Sequence, residues 1–299
     1  MKCLVTGGAG FIGSHLVDAL VDKGEEVHVV DDLSTGRQEN LHPAAFFHKI
    51  DVCDPVLSKL ICSIRPEVVF HLAAQVSVPH SVENPYEDTR VNVLGTVNLL
   101  EACVQAGVKR VIFSSSAAVY GIPQYLPIDE EHPLLTISPY GTSKVAAEKY
   151  LQLYNRIYGL EYVILRYANV FGPRQDADGE GGVVSIFAQA VHNRLPLKIY
   201  DDGEQTRDFV YVKDIVRANL AALLCASAIT INVSTESATS VNQLANLINR
   251  IVNSSNPIKY EPERPGDIRH SILCNNRAKK ELHWEPVYTL EEGLNDMLE

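Results

Sequence analysis

In the stretch Ser138-Pro-Tyr-Gly-Thr-Ser-Lys144, a phenol and an ammonium stand four residues apart, just after a proline suited to a helix's first turn. On a helix that spacing puts both side chains on one face. An adjacent positive charge stabilises a phenolate and lowers a pKa that is otherwise about 10. Tyr140 could then act as a general base near neutral pH, with Lys144 as the charge that tunes it. An isolated Tyr-x-x-x-Lys is more often an exposed ring beside a solvated lysine, so the surroundings decide between the two readings. Here a serine cluster, Ser114 to Ser116, ends the preceding strand-like run.

A second group of residues supplies a use for such a base. In LVTGGAGFIGSHL, the residues Gly7, Gly8, Gly10 and Gly13 lie between a strand pattern and a helix pattern. Glycines there make a tight turn and let backbone N–H groups, with Phe11 and Ile12 opening the helix, approach a pyrophosphate. Asp31, with Asp32 beside it, ends the second strand pattern, where a carboxylate accepts from ribose hydroxyls and repels a 2′-phosphate. NAD is therefore expected rather than NADP, with Arg37 the one residue pulling the other way. Asp51 and Val52, after the third strand pattern, could approach the adenine. Oxidised nicotinamide would add a second positive charge near Tyr140, and Lys144 would hold the nicotinamide ribose.

The elements that must position these groups alternate along the first half of the chain. KCLVT, EVHVVD, FFHKID, EVVFHLA, RVIFSSS and EYVILRY read as strands, and 11–23, 55–64, 91–105 and 140–158 as helices. Strands apolar throughout and separated by helices predict a doubly wound parallel α/β sheet covered on both faces. Residues 1–170 form the expected dinucleotide-binding domain, and 171–299, richer in loops, a smaller α/β lobe that binds substrate. The segment 208–234 again reads strand, helix, strand, and could return to the large sheet.

Composition excludes several other classes. The 299 residues are 46% hydrophobic and 21% charged, and no apolar run is long enough to span a bilayer. A net charge of -11 disfavours a nucleic-acid partner. MKCLVTGGAG is too poor in charge and apolar length for a signal peptide, so a cytoplasmic location is expected. Six cysteines without a CxxC pair read as reduced and structural, and the histidines show no metal spacing, so no metal is expected.

TGGAGFIG, DDLSTG, FHLAAQ, RVNVLGTVNLLEAC, FSSSAAVYG, SPYGTSK, LRYANVFGPRQ, RDFVYVKDI and RPGDI, taken together and in this order, resemble the extended short-chain dehydrogenase/reductase superfamily. Within it the chain is most similar to the UDP-glucose 4-epimerase group of the NAD-dependent epimerase/dehydratase family. The resemblance spans essentially the whole chain and implies an NAD that stays bound and shuttles hydride. It puts the catalytic pair on Tyr140 and Lys144 and the catalytic hydroxyl on Ser116. It has Leu72, Ala73 and Ala74 lining the cofactor, with Asn92 buttressing the neighbouring helix. Asn169 matches a position contacting the nucleotide-sugar phosphates, Arg207 and Arg264 match arginines clamping the diphosphate, and Asp267 touches the uridine ribose or orients an arginine. Ser271 falls where the bulk of a residue limits the sugar's C2 substituent, and a serine leaves room for an acetamido group.

One departure narrows the activity. Related 4,6-dehydratases and decarboxylases carry an acidic residue just after the catalytic hydroxyl, whereas Ala117 and Ala118 follow Ser116. Without that second acid, elimination of the 6-hydroxyl lacks a proton donor, but epimerisation needs only one base and one hydride acceptor. The expected reaction is inversion at C4 of a UDP-hexose, UDP-glucose or UDP-galactose, with the N-acetyl forms also admitted. The alternatives are another nucleotide-sugar enzyme such as a 4,6-dehydratase, and a non-catalytic NAD-sensing regulator that would be expected to lose the tyrosine or lysine. A homodimer is expected, paired through the helices of 91–105 and 140–158, with Val145, Tyr150, Leu151 and Tyr154 supplying apolar surface.

Overall fold

Runs such as Cys3-Leu4-Val5 are apolar at successive positions, and successive strand residues point to opposite faces, so such a strand needs cover on both. The computed structural model, which describes residues 1–177, 182–263 and 267–299, provides that cover. Among the described residues seven parallel strands form the large sheet: β1 (Lys2–Thr6), β2 (Glu26–Asp31), β3 (Phe46–Lys49), β4 (Val68–His71), β5 (Arg110–Ser116), β6 (Glu161–Tyr167) and the returning strand Ile229–Val233. Their order is β3-β2-β1-β4-β5-β6 and then Ile229–Val233, so the winding reverses between β1 and β4. In an open sheet of this kind the crevice lies at the carboxyl ends of those two strands.

Cys3 and Val5 pack with Leu16, Val17 and Leu20 of the helix α1 (Phe11–Asp22) and with Ile215 and Ala218 of the helix Val212–Ala221. Leu4 faces the opposite way, into Leu57 and Ile61 of α2 (Val56–Ile64), Leu99 of Gly95–Ala106 and Leu151 of Pro139–Tyr158. The last of these helices opens as its sequence predicts: Ser138 Oγ accepts from Gly141 N at 3.1 Å and Pro139 follows the cap.

The helix expected over 91–105 has a different start. Arg90–Leu94 forms a wider turn in which Gly95 N–H donates to the Arg90 carbonyl five residues back, before Gly95–Ala106 continues as α-helix. Two short helices precede it, Val78–Glu83 and Pro85–Thr89.

A further core of Phe187, Leu197, Ile199, Leu244, Ile248 and Leu294 is built within 171–299, the stretch expected as a second lobe. In it Thr206–Arg207 pairs with Thr239–Ser240 on one side and with His270–Ser271 on the other. No described helix is long and apolar enough to cross a membrane.

Candidate active site and cofactor cleft

The crevice above β1 and β4 opens into a cavity of about 780 Å³. Its wall begins with the glycine turn. Gly7 has φ +69°, and a Cβ there would stand 2.7 Å from the Ala73 nitrogen; a Cβ on Gly13 would stand 2.0 Å from the Gly7 carbonyl oxygen. Any larger residue would separate the turn from α1 or from the loop after β4. α1 begins at Gly10 with no side-chain cap, so the first N–H groups, at Phe11 and Ile12 among others, face a cavity those residues line. Uncapped donors and the positive end of the helix dipole suit a pyrophosphate.

Asp31 holds this turn in place. Its Oδ2 accepts from Ala9 N and its Oδ1 from Leu33 N, each at 2.9 Å. Burial pushes its carboxyl above the ordinary value, with these two N–H groups opposing and the neighbouring Asp32 adding to the rise. Asp32 is exposed and accepts from Ser34 N and Ser34 Oγ at 2.9 and 2.6 Å. Arg37, the residue that favoured a 2′-phosphate, pairs instead with Asp176 at 3.1 Å and reaches toward Glu39. Asp51 and Val52 line the same cavity; Asp51 accepts from Cys53 N and from Arg90 Nη1, both at 2.8 Å. Burial works to raise the Asp51 carboxyl, but these donors outweigh it and hold it low.

Leu72, Ala73 and Ala74 leave the end of β4 along the floor of the cavity, anchored where Ala73 N donates to Thr6 Oγ1 at 3.2 Å. Behind them His71 is fully buried between Thr6 and Thr96, which meet its ring nitrogens at 2.7 and 3.0 Å. Burial first, and the Lys144 charge second, push the His71 imidazole down to about 3, so it is neutral.

Tyr140, Lys144 and Ser116 meet on the adjoining wall, at the end of β5. Lys144 Nζ donates to the Ser114 carbonyl at 3.0 Å and lies 5.9 Å from the Tyr140 ring centre and 5.0 Å from that of Phe113. Burial pulls the ammonium down to about 8, against the opposing fields of Asp88 and Glu148. Ser116 Oγ accepts from Ala118 N at 3.2 Å, so its own hydrogen remains for donation into the cavity. The other two serines of the cluster brace the wall: Ser115 Oγ donates to Glu148 at 2.6 Å, and Ser114 Oγ meets Tyr167 Oη at 3.0 Å.

Sequence reading placed Asn92 as a buttress of the neighbouring helix but overlooked the other supports contributed by residues 75–88. Tyr140 N donates to Ser81 Oγ at 3.2 Å. Asn92 exchanges a pair of 2.9 Å hydrogen bonds with the Gln75 backbone and donates to Ser143 Oγ at 3.1 Å, which ties the loop after β4 to the Tyr140 helix. The signal was present in Ser77-x-Pro79 and Asn84-Pro85, where a cap-type residue precedes a helix-opening proline; Ser77 Oγ does accept from His80 N at 3.2 Å. Gln75, Ser77 and His80 all line the cavity.

The expected substrate residues divide into two groups. Asn169 lies in the cavity wall, whereas Arg207 and Ser271 face each other in register on the small sheet of the second lobe, outside the wall. Arg207 is half-buried, and its Nη1 donates to the Thr206 carbonyl at 2.9 Å. Burial lowers its guanidinium, with the field of Asp267 opposing. No carboxylate among the described residues is in ion-pair contact with it. Arg264 lies outside the described residues.

These positions can be set beside known proteins. A model of the NAD dependent epimerase/dehydratase family matches residues 3–234. The chain belongs to that family. A curated relative, the UDP-glucose 4-epimerase of Mycolicibacterium smegmatis, is 45% identical over 100% of this chain and 98% of its own. Among solved structures, the UDP-glucose 4-epimerase of Thermotoga maritima with UDP-glucose has a TM-score of 0.98 at 46% identity, covering 100% of this chain and 97% of that one. The UDP-glucose 4-epimerase of Thermus thermophilus in complex with NAD has a TM-score of 0.95 at 40% identity, covering 100% and 98%. This NAD-dependent epimerase/dehydratase fits its cofactor in its own geometry. The glycine turn leaves no room for a Cβ, the helix start is uncapped, and the Asp31–Asp32 edge disfavours a 2′-phosphate.

Proposed function

We propose that this enzyme inverts C4 of a UDP-hexose, interconverting UDP-glucose and UDP-galactose through a transient 4-keto sugar. The observation carrying the reading is the cavity wall itself. Tyr140, Lys144 and Ser116 stand together beside a dinucleotide cradle, and the positions after Ser116 are alanines that can donate no second proton. NAD, when bound, supplies the chemistry of accepting hydride from C4 and returning it.

The chain's own residues handle the proton. The Tyr140 phenolate takes it from O4 of the sugar, and the Ser116 hydroxyl donates to the same oxygen as charge shifts. Lys144 contributes positive charge beside the phenol and two remaining N–H donors for the nicotinamide ribose. Arg207, with Arg264, is assigned to the diphosphate, for which a planar guanidinium fork is suited. Asn169 contacts the phosphates, and Asp267 orients Arg207, consistent with its field at that residue. Held only by this link, the 4-keto sugar can turn over and present its other face. Stereochemistry at C4 tests the reading directly. Incubation with UDP-glucose, UDP-galactose and their N-acetyl forms, followed by NMR, should show C4 inversion, and Tyr140→Phe should lower the rate by about 10² to 10⁴ while NAD content stays unchanged. A 4-keto-6-deoxy product from the wild type would overturn the assignment in favour of a dehydratase.

A further inference from the structure

Two carboxylates send their fields to the Lys144 ammonium, and they differ in one respect. Glu148, on the same helix, is compensated by Arg166 through bonds of 2.9 and 2.6 Å. Asp88, on the short helix Pro85–Thr89, is fully buried and has no ion pair among the described residues. Its Oδ2 has no hydrogen-bond partner there either. Its Oδ1 accepts from Gln75 Nε2 at 2.9 Å and Asn92 Nδ2 at 3.1 Å. Asn92 has only two N–H bonds there, for three acceptors: Asp88, the Gln75 carbonyl and Ser143 Oγ.

A charge so poorly solvated is retained when another charge compensates it. Tyr140, on the same helix, is an anion only while it acts as the base, and the other titratable groups nearby supply no standing one. His71, from β4, is neutral, and Glu87, next to Asp88, is paired with Arg90 at 2.9 Å. We propose that Asp88 is a positioning residue, the counter-charge that keeps the Lys144 ammonium in the cavity wall while its Gln75 and Asn92 contacts fasten the loop after β4 over the cofactor site. This rests on the reading of Lys144 as the ammonium that holds NAD.

Asp88→Asn removes the charge and little volume. Protein stripped of nucleotide is titrated with NAD across about pH 6 to 9.5, and its circular dichroism is recorded. Wild-type affinity should fall as the pH rises through about 8, where Lys144 loses its proton. In Asp88→Asn that fall should come about one pH unit lower, with affinity near pH 7.5 reduced roughly threefold. A folded variant whose fall stays at the wild-type pH overturns the proposal. Lys144→Met provides the reciprocal measurement without any ligand, and it stands even if Asp88→Asn does not fold. Deprived of the ammonium, the variant leaves the buried Asp88 carboxylate uncompensated, so Lys144→Met with Asp88→Asn should be more stable to urea than Lys144→Met alone. A double variant that recovers none of the loss also overturns the proposal. Neither arm reads sugar inversion, so failure of the epimerase assignment would remain separate.

Discussion

Arg166 holds Glu148 through two bonds, Nε to Oε1 at 2.9 Å and Nη2 to Oε2 at 2.6 Å, with 5% and 1% of the two side chains exposed. The pair joins β6 to the helix bearing Tyr140 and Lys144, and Ser115 adds a third donor at 2.6 Å from the end of β5. Tyr120 Oη accepts from Arg166 Nη1 at 2.9 Å and donates to Asn232 at 2.6 Å, which extends the network to the returning strand. Three neighbouring strands thereby fix the helix on which the proposed chemistry depends.

Breaking that pair should be far more damaging than replacing it. Glu148→Gln leaves a buried guanidinium without its charge partner, and a cost of about 3 to 5 kcal/mol is expected. Glu148→Met with Arg166→Met should recover part of that loss, because neither side chain then demands a partner. Urea unfolding of Glu148→Met, of Arg166→Met and of the double variant measures the coupling; strictly additive losses would show that the pair carries none.

Asp208 gives stability a distinct pH signature. Burial raises its carboxyl from 3.8 to about 6, even though it accepts from Thr235 N, Thr235 Oγ1 and Glu236 N. The folded protein therefore holds this proton more tightly than the unfolded chain, and the resulting stabilisation is present at low pH and lost as pH rises through about 6. His71 acts oppositely: its lowered pKa makes stability rise with pH up to about its ordinary value. The useful quantity is thus the difference between Asp208→Asn and wild type, in which His71 cancels. That deficit should be larger near pH 4 than near pH 7 by roughly 3 kcal/mol, at about 1.4 kcal/mol per pH unit. A pH-independent deficit in urea unfolding would contradict it.

Legibility in the sequence followed the distance over which each feature is built. The glycine turn, the capped helix after Ser138 and the Tyr140–Lys144 spacing are local, so a few consecutive residues carry them. Gln75, Ser81 and Asp88 gain their roles only when the loop after β4 is folded against Asn92 and the Tyr140 helix, contacts that no periodicity encodes. The pairing of Arg207 with Ser271 depends on strands two residues long, too short for any alternating pattern. Periodicity also marks an apolar helix face without saying what covers it. Leu151 and Tyr154, expected on an outer surface, are 1% and 7% exposed and pack into the sheet's core, and Val145 is half-buried.

Ser271 offers a test of substrate size. Its place opposite Arg207 puts it beside the residue assigned to the diphosphate, on the lobe proposed to bind the sugar nucleotide. If it borders the C2 substituent, Ser271→Tyr should suppress turnover of UDP-N-acetylglucosamine by at least about tenfold relative to UDP-glucose, the scale expected of a steric change in a pocket. The ratio of kcat/KM values for the two sugars decides the matter; equal losses would show that Ser271 does not gate the site.

The helix Pro139–Tyr158 still has an uncovered apolar stripe, although of the residues expected there Tyr150 alone belongs to it. Tyr150, Leu153, Ile157 and Tyr158 are 37%, 45%, 58% and 56% exposed, and Leu94, just before the helix Gly95–Ala106, is 56% exposed. Tyr154 Oη donates to Glu101 at 3.3 Å, so the two helices already stand side by side and present one surface. A contiguous patch of this kind is covered most economically by its own symmetry mate, since an isologous contact satisfies both copies at once. We propose a homodimer formed through these two helices. Leu153→Lys with Ile157→Lys should then yield a monomer that retains NAD, because neither side chain lines the cofactor cavity. Light scattering at micromolar concentration gives the mass directly; a monomeric wild type, or a dimer that survives both lysines, would show that this stripe is not the interface.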